Sequence, residues 1–207
     1  MRLLAAALLA TLPVAAQAQQ PAIFPTRDVT ITYRATGGPQ GPMNVAMAFS
    51  AATGLMRIDV PGSGPMGAGW VLFDHRAGNA RMVLDQQRMV MTMDGGMVPG
   101  GGGFRPSPEA RFTREGSDRI LNTACTNWRI EDRGNRARAC LTDDGVMLRA
   151  QPENAGAGTL EATEIRYGAQ DPARFTVPAG YQTMDMQQLM QGLQRQGQRP
   201  PATAPTR

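Results

Sequence analysis

The sequence predicts an all-β protein with one short C-terminal helix, and three observations carry that prediction. Apolar and polar residues alternate with period two along most of the chain, as in Val29, Ile31 and Tyr33 against Thr30, Thr32 and Arg34; this is the pattern of a strand with one buried face. Turn-forming pairs recur at short, regular intervals, among them Gly37-Gly38, Pro61-Gly62, Gly78-Asn79 and Asp85-Gln86. No helical stretch separates the strands, so there is no βαβ unit and consecutive strands pair antiparallel.

Taken in order, strands are expected over 29–34, 44–49, 55–60, 70–74, 81–84 and 88–93. Asp94 to Arg105 is rich in glycine, carries a proline and lacks alternation, so it reads as a loop. It resembles a phosphate cradle only superficially, because no Gly-Lys-Ser/Thr follows. Strands resume near Ala110. Residues 119–130 read as one long strand, 136–141 as its return, and Asp143-Asp144-Gly145 as a turn into 146–150. A last strand is expected over 159–167 after a glycine-rich loop at 154–158. Phe175 to Tyr181 reads as an extended piece. Beyond it Met186, Leu189, Met190 and Leu193 fall at helical spacing, and 194–207 is polar, Pro-rich and expected to be disordered.

The first eighteen residues have the plan of a secretory signal: Arg2, an apolar run from Leu3 to Leu12, and Ala16-Gln17-Ala18 as a small-residue cleavage site. The run is too short to span a bilayer. The chain therefore divides into a signal at 1–18, a lead at 19–26, a single β domain with its helix at 27–193, and a tail at 194–207, and the mature protein is expected in the periplasm or secreted. No cysteine stands at the cleavage point to carry a lipid.

The chain has 207 residues and a formal charge of +4, and all its basic side chains are arginines. The arginines are spread along the chain and aromatics are sparse, so neither the clustered basic face nor the stacking platform of a nucleic-acid binder is present. Arg133, Arg136 and Arg138 come nearest and read as a solvated strand face beside acidic neighbours.

Cys125 and Cys140 are the whole thiol inventory. In an oxidising compartment such a pair implies a disulfide. The stretch between them alternates, turns at Asp132-Arg133-Gly134-Asn135 and alternates again, so a hairpin brings the two cysteines to within about a residue of register.

Catalytic machinery is not legible. His75 is the one histidine and reads as an exposed residue at a strand end; Ser63 lies in Gly62-Ser63-Gly64 without the spacing of a nucleophile elbow. One histidine and two oxidised cysteines do not make a zinc site. No catalytic residue, metal ligand or cofactor is assigned. Methionine is the compositional excess, at 14. Met89, Met91 and Met93 share one strand face, with Met82 on the neighbouring strand. Three readings stand: flexible core filler, an adaptable apolar face for a lipid or other hydrophobic ligand, or thioether ligands for Cu(I).

Three groups of residues together resemble a known architecture. They are the paired strands with Met56-Arg57-Ile58-Asp59, Phe73-Asp74 and Arg88 to Met93; Cys125 and Trp128 followed by Ala139-Cys140-Leu141-Thr142-Asp143-Asp144-Gly145; and Phe175-Thr176-Val177-Pro178-Ala179-Gly180-Tyr181 before a Met- and Gln-rich segment. With them the chain resembles the periplasmic domain-of-unknown-function families that share the LolA/LolB-like half-barrel. The resemblance implies a strongly curved antiparallel sheet, an incomplete barrel, around an apolar cavity that holds acyl chains in the lipoprotein carriers. It carries over no functional residue. The expectation is a non-catalytic periplasmic protein binding a lipid or hydrophobic molecule on a concave face lined by Met82, Met89, Met91 and Met93. The alternatives are an interaction module docking an envelope protein, and a Met-dependent Cu(I) binder.

Overall fold

The computed structural model describes residues 20–37, 41–61, 68–95, 106–153 and 158–185. They form twelve strands: β1 (Val29–Thr36), β2 (Met43–Ser50), β3 (Leu55–Val60), β4 (Gly69–Asp74), β5 (Asn79–Leu84), β6 (Met89–Asp94), β7 (Arg111–Ile120), β8 (Thr123–Asp132), β9 (Asn135–Leu141), β10 (Met147–Pro152), β11 (Thr159–Tyr167) and β12 (Gln182–Asp185). All lie in one sheet of order β12-β6-β5-β4-β3-β2-β1-β11-β10-β9-β8-β7. The sheet has two free ends, β12 and β7, and does not close into a barrel. The expected signal, the loop of Asp94 to Arg105 beyond Gly95, the helical segment beyond Asp185 and the tail lie outside the described residues.

Hairpins join most sequential strands, as the period-two pattern predicts. Two departures are informative. The expected long strand over 119–130 is broken at Leu121-Asn122, where φ is 49° and 58°, making a two-residue turn between β7 and β8. Positive φ at both positions defines a type I′ turn, which twists with its strands. Asn122 is a usual occupant of such a turn and Leu121 is not, which hid it. The second departure is β12. Met184 and Asp185, which open the segment read as helical, pair in a strand parallel to β6, so one pair in the sheet is not antiparallel.

The sheet buries apolar residues on both faces. One face carries Val29, Ile31, Tyr33, Met47, Phe49, Met56, Ile58, Val71, Phe73, Met82 and Met91. The other carries Ala48, Trp70, Leu72, Val83 and Val90. That second face is covered by the segment after β11. A short 3-10 helix, Pro172–Phe175, is capped by the Asp171 side chain accepting from the Ala173 amide. It drops Phe175 among Trp70, Leu72 and Val83, with Val177 and Tyr181 packed beside it. Arg57 donates to the Arg174 carbonyl at 3.0 Å and lies over the Trp70 ring, and the Tyr181 hydroxyl donates to Asp85 at 3.0 Å. The Phe-x-x-Pro-x-Gly-Tyr element is thus the strap that closes this face and leads the chain into β12.

The first face is concave, and Phe24 shows it. The Phe24 ring stacks on Phe73 of β4, centroids 6.1 Å apart, while its carbonyl oxygen lies well inside contact distance of the point where a Cβ on Gly145 would stand. Gly145 is in the β9–β10 turn, five strand positions from β4. In a flat sheet five positions span about 24 Å, which no single residue bridges. The strands must curl toward one another over the face that holds Phe24.

The lead is clasped in place. The Thr26 amide donates to the Asp144 carbonyl at 2.9 Å. Arg27 donates to the Asp144 carboxylate at 2.7 Å and lies over the Tyr167 ring at 4.1 Å. Thr142 and Tyr167 donate to the same carboxylate. Burial pushes Asp144 up, but the bonds from Thr142, Arg27 and Tyr167 outweigh it and leave the carboxyl below its ordinary range.

Candidate functional site on the methionine face

Alternation along β5 and β6 decides where the methionines point. Met82 pairs directly with Met91, Ala80 with Met93 and Leu84 with Met89, so all four methionines face the concave side, as their spacing predicts. Val83 and Val90, between them, belong to the opposite cluster. Met82 and Met91 are buried, at 9% and 7% exposure, and Met89 and Met93 are half-buried. The strongest burial lies toward β4 and the looser packing toward β12. The register extends the row: Met184 of β12 pairs with Met91, so Met184, Met91 and Met82 stand side by side on three neighbouring strands. Met184 is 42% exposed. The sequence did not place Met184 here, because nothing local announces a parallel strand returning from a distant segment.

The closed end of the concave face is aromatic. His75, in the turn after β4, stacks on Phe24 at 4.7 Å and tilts against Phe49 at 5.7 Å. It is half-buried rather than exposed, because the lead folds over it; the sequence carried no signal that residues 20–26 pack against the sheet. Tyr33 is buried on the same face and donates to the Met147 carbonyl at 2.8 Å; burial pushes its phenol up.

The other end of the sheet is charged. Cys125 and Cys140 form the expected disulfide, with Cα atoms 5.4 Å apart. They are not directly opposed: Cys140 pairs with Asn127, so the bridge is diagonal, two residues off along β8. Beside it Arg129 and Arg138 oppose each other directly, an arrangement that repels. A bulge at Glu115-Gly116, with Gly116 at φ 130°, turns Glu115 toward both guanidiniums. Bulges re-aim side chains in this way. Arg149 is held by Asp118 and Glu161. A groove of about 230 Å³ lies here, lined by Glu115, Asn127, Arg138, Cys140, Arg149 and Gln151. A shallower one of about 540 Å³ lies around the β8–β9 turn, between Arg111, Glu131, Arg133, Arg136 and Glu153. Their arginines and carboxylates are largely paired across strands, which is how Arg136 and Arg138 are used. Asp132 accepts from the Ser107 hydroxyl and amide, which holds it below the ordinary carboxylate range and anchors the chain at 106–110.

Among the described residues no three His, Cys, Asp or Glu side chains form a metal-holding group, and no helix is long and apolar enough to cross a membrane.

No protein-family profile and no curated protein matches this chain. Solved structures do. An uncharacterized conserved protein from Thermus thermophilus superposes with a TM-score of 0.55 at 11% identity, covering 77% of this chain and 91% of that one. The MucA/MucB complex of Pseudomonas aeruginosa gives 0.48 at 14% identity, covering 76% of this chain and 58% of that one. A LolA superfamily protein from Nitrosomonas europaea gives 0.38 at 8% identity, over 75% and 92%. At these identities the likeness is one of fold alone, and it rests on the Thermus protein. The class defined is an open, strongly curved sheet, antiparallel in every pair but β12–β6, the incomplete-barrel architecture that the resemblance implies.

Proposed function

We propose that the protein is a non-catalytic component of the bacterial envelope, working in the periplasm, that binds a lipid or other hydrophobic molecule at the methionine end of its concave face. One observation carries the reading. Six consecutive strands, β1 to β6, turn an unbroken apolar lining toward the inside of a sheet that does not close, and the lining loosens from buried Met82 and Met91 to half-buried Met89 and Met93. Methionine is unbranched and adaptable, which suits a face that accepts varied apolar shapes. The disulfide and the signal-like opening of the sequence support the compartment. Both charged grooves lie on β7 to β10, away from this face.

Displacement of an environment-sensitive fluorescent fatty acid tests the reading. Wild type is expected to bind the probe, and Met89→Glu/Met93→Glu to weaken binding at least about tenfold, since a carboxylate is not buried against an acyl chain without a partner. Absence of probe binding by wild type, or equal binding by the folded double variant, overturns it. Stoichiometric recovery of one envelope protein in place of probe binding favours the interaction-module reading.

A further inference from the structure

We propose that Met82, Met91 and Met184 form a thioether site for Cu(I) at the β5-β6-β12 corner of the sheet, which shares Met82 and Met91 with the hydrophobic lining but does not require a hydrophobic ligand to bind there. Three facts converge there. Cross-strand pairing sets Met82 against Met91 and Met91 against Met184, so three sulfur-bearing side chains stand in one row on one face. Neighbouring strands are about 4.8 Å apart, so β5 and β12 flank β6 within about 10 Å. Unbranched side chains with three rotatable bonds reach a common point above Met91 from that distance. The row also ends in the open. Among the described residues the exposed large hydrophobics are Leu121, Tyr167 and Met184. Leu121 sits in a tight turn and Tyr167 carries the Arg27 guanidinium; Met184 has neither role. An exposed thioether beside two buried ones gives a soft ion an entrance and an apolar seat.

The ligand chemistry selects the ion. Thioethers are soft and neutral; they favour Cu(I) over Zn(II) or harder divalent cations. The two cysteines are bonded to each other, so no thiolate competes. Thioethers do not titrate near neutrality, so binding here is insensitive to pH where a histidine site weakens as its imidazole takes a proton near pH 6.5.

The test is anaerobic titration of the disulfide-intact protein with Cu(I) against a colorimetric Cu(I) chelator, with Zn(II) run in parallel. The expected result is one Cu(I) per chain, no comparable Zn(II) binding, and affinity unchanged between about pH 5.5 and pH 7.5, the range in which a histidine titrates. Met184→Leu, at the exposed end and compatible with the strand, is expected to weaken binding at least tenfold with unchanged circular dichroism. Met56→Leu, on β3 outside the row, leaves it unchanged. X-ray absorption of the copper complex reports whether the ligands are sulfur. No competitive binding, Met184→Leu equal to wild type, or a nitrogen- or oxygen-dominated ligand set overturns the proposal.

Discussion

Replacing Phe175 with alanine tests whether the strap after β11 is part of the folded core. Phe175 is 7% exposed and packs with Ala48, Trp70, Leu72, Val83 and Val90. Its removal forfeits the transfer energy of a nearly buried ring and leaves a cavity walled by a rigid sheet, which relaxes little. Phe→Ala changes of this kind cost about 3–5 kcal/mol. At roughly 2–4 °C per kcal/mol for a chain of this size, the melting midpoint falls by roughly 6–20 °C. Because the same segment leads into β12, the loss is also local. Limited proteolysis is expected to cut within 170–185 before the rest of the sheet, and a hydrophobic dye to bind the uncovered Trp70 face. Phe175→Leu, which keeps most of the volume, is expected to recover most of the stability. A midpoint within about 2 °C of wild type, which corresponds to less than about 1 kcal/mol, with unchanged proteolysis, would refute the strap.

Three further outcomes follow from the same geometry. Cys125→Ala/Cys140→Ala opens a loop of sequence separation 15 and is expected to cost about 3 kcal/mol in urea unfolding; an unchanged midpoint contradicts it. Asp144 has a folded pKa below its unfolded one, so its contribution is present above the ordinary carboxylate range and lost as pH falls through the lowered value. Asp144→Asn is therefore expected to be less stable at neutral pH and to show a shallower acid transition; parallel pH–stability curves contradict the clasp. Gly145→Ala meets the Phe24 carbonyl and a φ of 83°, whereas Gly134→Ala meets a φ of 79° with nothing nearby. The second is expected to cost about 1–2 kcal/mol and the first clearly more in the same thermal melt; equal costs would mean the lead does not sit against the β9–β10 turn.

Much of the sheet is legible in the sequence because each strand writes its own burial into a two-residue period. The Arg133-Gly134 turn is visible because Gly134, at φ 79°, is the residue type that takes positive φ without a steric cost. The Leu121-Asn122 turn is not, because a leucine at φ 49° is held there by the strands on either side. The methionine face is legible for the same reason as the strands. What escapes is what depends on distant pairing. Met184 joins the row only because β12 returns beside β6, far along the chain from Met91, by a parallel route that no local pattern encodes. His75 reads as exposed until Phe24 is laid over it. Asp144 reads as an ordinary turn carboxylate, yet besides Thr142 of its own turn it receives Arg27 and Tyr167 from two other parts of the chain. No local pattern marks Glu115, which the bulge at Gly116 turns between two opposed arginines.

The central claim is that the concave methionine face holds a hydrophobic molecule, and native mass spectrometry of the protein isolated from its own host without detergent tests it most directly. The account predicts a reproducible adduct of lipid mass that is lost in Met89→Glu/Met93→Glu. A bare polypeptide mass in every preparation, with the disulfide intact, would contradict it.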